Sequence, residues 1–335
     1  MKKRPLLLLA ALMLASTILA LFLGRFSFSP AEFFSIVNGW LSGDQLSPLQ
    51  EQTLLIMVNV RLPRIIAALS IGASLAVSGT VYQAMFLNPL VSPGILGVLA
   101  GASCGAGIGI VFFPASWLAT QVLAFVFACL AVGMSLFFAA FMRKSSLLVL
   151  ILGGMISTSF FTSLTSMLKF LADPNKQLPE LIYWLMGTFS RIEGFTLVIL
   201  GIPMLLGIFF LILHGKIINA LSMGDEEALS LGVQVRPMRL RIIAAATFIS
   251  ALSVVLVGVV GWIGLIIPHI MRFLVGTDNR LLLPAAAMGG ATFLMLTDLL
   301  TRNLFTAELP IGVYTALISL PLFAVSLRYS KGSWK

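Results

Sequence analysis

The sequence predicts an all-helical protein that crosses a membrane about ten times. Three observations carry that prediction. Hydrophobic residues make up 59% of the 335 and charged residues only 10%, whereas a soluble domain is about 45–50% apolar and about 25% charged. The apolar residues, about 200 in all, suffice for about ten spans of about 20 residues each. They also fall in long runs separated by short polar, basic or Pro/Gly-containing joints. This composition excludes an ordinary soluble enzyme, a disordered chain and a disulfide scaffold. The formal charge of +9 would point to nucleic acid in a soluble protein. In a membrane protein it records which side the loops face.

The N-terminus reads Met1-Lys2-Lys3-Arg4-Pro5, followed by apolar sequence to Gly24. The apolar part is too long for a signal peptide, and no small-residue cleavage site precedes Arg25, so this is the first span. Residues 25–60 are mixed, with Glu32, Asp44 and Glu51. They predict a polar segment of short amphipathic helices outside the bilayer. Further spans fall near 63–83, 93–113, 117–141, 147–168, 195–214, 241–260, 262–276, 283–302 and 310–327. The segment 262–276 is too short to cross alone and contains Pro268, which predicts a broken or partly re-entrant element.

Ten spans that start inside also end inside. With both termini in the cytoplasm, 14 of the 21 Lys and Arg fall inside and 7 outside, as the positive-inside rule requires. Arg61-Leu62-Pro63-Arg64-Ile65-Ile66-Ala67-Ala68 and Arg239-Leu240-Arg241-Ile242-Ile243-Ala244-Ala245 open spans of opposite direction. They read either as an inverted repeat, frequent in transporters, or as a chance echo.

Gly97, Gly101, Gly105 and Gly109 recur every four residues and mark one helix face for close packing, with a nearby pathway the sharper alternative. The joint Asn88-Pro89-Leu90-Val91-Ser92-Pro93-Gly94 precludes a regular helix. The inside loop Gly224-Asp225-Glu226-Glu227-Ala228-Leu229-Ser230-Leu231-Gly232 predicts a short helix. It has an acidic start, an apolar face of Ala228, Leu229 and Leu231, and a glycine stop. It is either a solvated connector or a docking element for a partner. Arg61, Arg64 and Arg302 lie at outer span ends. They snorkel to headgroups or receive the carboxylates of an outside partner, and Asp298 is placed to pair with Arg302 at i, i+4. No span carries a midplane Asp, Glu or Lys of the kind ion-driven carriers use. Cys104 and Cys129 read as small core residues. His214 and His269 form no metal pattern, and neither a catalytic set nor a cofactor motif is present.

The string Gly261-Trp262-Ile263-Gly264-Leu265-Ile266-Ile267-Pro268-His269-Ile270-Met271-Arg272 is followed by Leu283-Pro284, Asp298, Arg302 and Glu308-Leu309-Pro310-Ile311-Gly312-Val313. With Asn88-Pro89-Leu90, Tyr183-Trp184-Leu185-Met186-Gly187 and the Gly224–Gly232 loop, this resembles the FecCD-like permease subunits of type II ABC importers. Those subunits import iron–siderophore complexes, haem and vitamin B12. The resemblance runs from about residue 5 to 328.

It implies one transmembrane permease domain over 1–335, with a coupling-helix loop at 217–240. The subunit would work in the cytoplasmic (inner) membrane as a homodimer or close heterodimer with the pathway at the subunit interface. It would carry no catalytic activity, cofactor or metal of its own. ATP and Mg would be bound by two cytoplasmic ATPase subunits, and an extracytoplasmic binding protein would deliver the substrate. Gly224, Asp225, Glu226, Glu227, Ala228, Leu229, Leu231 and Gly232 would contact the ATPase. Arg61, Arg64 and Arg302 would meet acidic residues of the binding protein. Ser145 and Ser146 would form an inner gate, and an outer helix would cover about Leu178–Gly187. His269 reads as structural, satisfying backbone groups freed by Pro268, with haem-iron ligation the alternative. An ion-coupled secondary transporter and a lipid-acting membrane enzyme are the competing function classes.

Overall fold

The computed structural model describes residues 3–24, 26, 28–43, 45–141, 147–190, 192–304 and 308–329. Among these there is no strand. The chain enters through α1 (Lys3–Phe22), then α2 (Pro30–Ser42) and α3 (Pro48–Ile56). A π-helical turn over Met57–Arg61 joins α3 to α4 (Leu62–Met85). There follow α5 (Val98–Phe112), α6 (Trp117–Phe141), α7 (Leu147–Leu171), α8 (Gln177–Met186) and α9 (Gly194–Leu213). The last part comprises α10 (Gly215–Leu221), α11 (Asp225–Ser230), α12 (Val235–Val257), α13 (Ile263–Val275), α14 (Asn279–Asn303) and α15 (Ile311–Tyr329). Among the described residues seven helices are long and apolar enough to cross a membrane, and α5, α13 and the apolar part of α15 are shorter apolar helices.

Local chemistry accounts for the segment between the first two spans. Ser29 and Ser47 each cap a helix, with Glu32 and Gln50 closing reciprocal capping boxes and proline at the first helical position. These devices satisfy the free N–H groups of α2 and α3. α3 is not separated from the second span, as the sequence suggested. The π turn carries it directly into α4, making one helix of 38 residues, Pro48–Met85. A π turn inserts an extra residue without breaking the helix.

α4 is the axis of the bundle. Most of its residues after Leu62 are buried. Two glycine contacts bring neighbouring backbones against it. A Cβ on Gly72 would lie 2.3 Å from the Gly290 carbonyl oxygen of α14, and one on Gly79 would lie 1.9 Å from that of Gly264 in α13. α12 runs antiparallel to α4. Tyr82 is hydrogen-bonded to Thr247 at 2.6 Å, while nearer the start of α4, Ser74 donates to the Ile249 carbonyl and accepts from Ser253. These opposite directions are those expected of the two spans with matching Arg-Leu openings. The four-spaced glycines of α5 serve packing: Cβ atoms at Gly101 and Gly105 would strike the Phe127 and Leu123 carbonyls of α6. Cys104 is a core residue, but Cys129 is exposed, on a face of α6 turned away from the protein interior.

α13 departs from expectation at its proline. The helix runs unbroken through Pro268. The irregular stretch lies upstream, between Gly258 at φ +78° and Trp262 at φ +71°. α13 therefore starts beside the middle of α4. At 13 residues it is about 20 Å long, too short for a hydrocarbon core of about 30 Å.

Candidate functional site

Proline removes the N–H that would bond the carbonyl four residues earlier. At Pro268 that carbonyl belongs to Gly264. The Gln83 amide of α4 reaches it, donating to the Gly264 and Leu265 carbonyl oxygens at 3.4 and 3.2 Å. Gln83 therefore plays the part expected of His269. The His269 ring instead stands edge-on to Phe273 and Phe323, and its Nε2 has no partner.

The three arginines singled out in the sequence come together at the end of the bundle where α4 begins. None is an exposed, snorkelling side chain: Arg61, Arg64 and Arg302 retain 5%, 8% and 7% of their surface. Asp298, fully buried on α14, stands between two of them. The Arg64 guanidinium meets its Oδ1 at 2.8 Å, and Arg302 Nε meets its Oδ2 at 3.1 Å, the i, i+4 pair foreseen in the sequence. Arg64 also holds Glu308 at 3.0 Å. Arg61 turns the other way. It donates to the Leu21 carbonyl at the end of α1 and to the Phe26 carbonyl at 2.6 Å, with its guanidinium over the Phe28 ring. Among the described residues, three cations of the cluster face two carboxylates, an excess of one positive charge. The cluster ties α1, α4, α14 and the segment before α15 into one unit. The sequence reading missed Glu308 as a member, although it stands in the quoted motif.

The opposite end, where α4 and α14 place Met85 and Asn279, is built differently. α11 forms within the predicted loop. Gly224 at φ +127° precedes it and Gly232 at φ +78° ends it. The Gly232 and Val233 amides donate back to the Leu229 and Ala228 carbonyls at 2.9 and 3.0 Å, a glycine-terminated Schellman closure. The expected apolar face divides. Ala228 is fully buried in the core, while Leu229 and Leu231 are 61% and 62% exposed. They point outward beside the exposed Met223 and the exposed Glu226 and Glu227. A six-residue helix cannot turn all three apolar positions to one side, because Leu231 lies past its last turn. Asp225 pairs with Arg239 of α12 at 2.6 Å, fixing the angle of α11.

Asp278 caps α14 at the same end. Arg280 grips its carboxylate at 2.6 Å and Asn219 of α10 donates to it at 2.7 Å. These bonds, the Arg280 contact first, hold the Asp278 carboxyl well below the usual carboxylate range. The outer-helix expectation at Leu178–Gly187 coincides with α8, whose end is stitched in by Thr188 donating to Val257 and Ile311 donating to Gly187. Ser145 and Ser146 lie outside the described residues. Among the described residues there is no group of three or more potential metal ligands.

Comparison with known proteins agrees over most of the chain. The family model of the FecCD transport family matches residues 12–329. The molybdate import system permease protein MolB of Haemophilus influenzae is 38% identical over 318 residues, covering 95% of this chain and 93% of its own. The hemin transport system permease protein HmuU of Yersinia pestis is 35% identical, covering 80% of this chain and 81% of its own. The vitamin B12 import system permease protein BtuC of Vibrio vulnificus is 37% identical, with the same coverage of 80% and 81%. A solved structure described as an inward-facing conformation of an ABC transporter of metal-chelate type superposes with a TM-score of 0.87. It shares 36% identity, covering 98% of this chain and 99% of that one. On this evidence of sequence and fold together, the chain belongs to the FecCD transport family.

Proposed function

We propose that this chain is the membrane permease of an ATP-driven importer that takes an iron chelate, haem, cobalamin or a related substrate such as molybdate from a binding protein into the cytoplasm. The observation that carries this reading is the match, over nearly the whole chain, to relatives named as permeases of molybdate, hemin and vitamin B12 systems. The same match stands against an ion-coupled carrier. In this reading the seven long helices and the three short apolar ones, α13 together with the irregular stretch before it, make ten crossings in the inner membrane. Both termini are cytoplasmic, and two copies enclose the pathway. The chain itself performs no bond chemistry.

The α11 end is then cytoplasmic. Its outward Leu229, Leu231 and Met223 are large apolar side chains at a charged surface, and covering one such side chain stabilises a complex by about 1.5–3 kcal/mol. Two ATPase subunits are the partners proposed to cover them, with ATP and Mg bound there. The α11 helix, held to α12 through Asp225–Arg239, would pass ATPase movement into the spans. The arginine end is extracytoplasmic. Because Arg61, Arg64 and Arg302 are engaged inside the chain, they would steer an acidic binding protein through their net positive charge. Ser145 and Ser146 keep their proposed place at the inner gate.

The test is uptake into vesicles. With the chain, its ATPase and its binding protein reconstituted together, substrate should accumulate only when ATP is supplied. Uptake by the chain alone under an ion gradient would overturn the reading.

A further inference from the structure

A cavity of about 740 Å3 opens at the α11 end between α4, α13 and α14, walled in part by Gln83, His269, Arg272, Asn279, Leu87 and Phe273. Its polar wall is only partly satisfied. Gln83, His269 and Asn279 are each more than nine-tenths buried. Gln83 Oε1, His269 Nε2, Asn279 Oδ1 and Arg272 Nη1 are buried without a hydrogen-bond partner. Among the described residues Arg272 forms no ion pair, and no carboxylate lines the cavity. Asp278, next in sequence to Asn279, is already held by Arg280 and Asn219. A largely buried cation without a counter-ion is costly, and four of the buried polar atoms without a partner are gathered around this one space, where each calls for an explanation.

The mouth is apolar and strained. Leu87 sits at φ +50°, a left-handed conformation that glycine ordinarily takes. Its side chain and that of Phe273 are about half exposed. His269 and Arg272, three apart on α13, share a helix face and present donor capacity. Gln83 and Asn279 offer acceptors that a bare anion would not use but a hydroxyl would.

We infer that this cavity binds a phosphate ester carrying hydroxyl groups, a glycerol-phosphate group. Arg272 and His269 would hold the phosphate, and the Gln83 and Asn279 carbonyl oxygens would accept from the hydroxyls. Arginine suits a phosphate because its planar fork of donors matches the oxyanion. The ester can arrive as free glycerol phosphate or as the headgroup of phosphatidylglycerol, whose acyl chains would lie over Leu87 and Phe273.

The probe is thermal unfolding of the purified full chain. One arm adds glycerol phosphate to protein in neutral detergent at constant ionic strength. The other compares nanodiscs of phosphatidylglycerol with nanodiscs of phosphatidylcholine. A saturable rise in midpoint is expected in at least one arm. A rise in both marks a site open to the soluble ester, and a rise with the lipid alone marks a headgroup site. Arg272→Gln should abolish the rise. Lys216→Gln, an exposed basic residue at the same end, should keep it. His269→Gln should weaken binding roughly tenfold; together with Arg272→Lys it replaces Arg272→Gln if that variant does not fold. No saturable rise in either arm, or an equal rise in Arg272→Gln, overturns the site. Equal affinity for inorganic phosphate overturns the roles given to Gln83 and Asn279.

Discussion

The two ends of this bundle use the same residue types to opposite effect. Where α4 begins, Arg64, Arg302 and Asp298 are buried together as ion pairs. Glu308 joins them through Arg64, and Arg61 is spent on backbone carbonyls. Where α4 ends, Arg272 and His269 face a cavity without partners. Nearby, Leu229 and Leu231 stand in the open. At one end every cation of the cluster has a partner within the chain, and the other has the surface chemistry of something to be completed by other molecules. Buried charge is expensive and must be paired, so the first end reads as a clamp on helix positions. Exposed apolar groups beside charges are tolerated where a partner covers them.

The largest test of this contrast is Asp298→Ala. Removing the shared carboxylate leaves Arg64 and Arg302 buried without it. The expected loss is about 3–5 kcal/mol of stability, read as a fall in thermal midpoint or as lost expression. A loss below about 1 kcal/mol would mean that the cluster is not the clamp described. At the other end, Arg239→Ala removes an ion pair whose Asp225 partner is more than half exposed. It should cost no more than about 1 kcal/mol.

Smaller still is the pH dependence of the α14 cap. The Asp278 carboxyl is depressed in the folded chain, so its stabilising effect is present above its unfolded pKa of about 3.9. It disappears as pH falls through the lower folded value. Asp278→Asn should therefore lower stability modestly at neutral pH, approach wild type only as pH falls through that folded value, and so flatten that part of the acid-stability curve. An unaltered acid limb would show that the cap contributes nothing to the dependence. The smallest effect is expected for Leu229→Asp, which should keep the stability of the isolated chain within about 0.5 kcal/mol of wild type.

Much of this could be read from residues alone, for reasons visible in particular elements. α11 was legible because its glycines and acidic turn are local signals. The Asp298–Arg302 pair was legible because i, i+4 spacing on one helix is a local fact. Glu308 and Gln83 were missed because their partners, Arg64 and Gly264, are 244 and 181 residues away, and pairing at that distance is set by helix packing. The continuity of α3 into α4 was missed because a π turn has no strong composition, and Arg61-Leu62-Pro63 looks like a boundary. Proline at 268 looked like a break. It is accommodated because another helix supplies a donor, which no local pattern announces.

The central claim is that the α11 end is where an ATPase engages the chain. The direct measurement is co-purification of the chain with its co-expressed ATPase, comparing wild type with Leu229→Asp. The account predicts that wild type retains the ATPase and that Leu229→Asp loses about 10–100-fold in affinity, the equivalent of one buried leucine, with its thermal midpoint unchanged. Equal retention of the ATPase by a folded Leu229→Asp chain would contradict it.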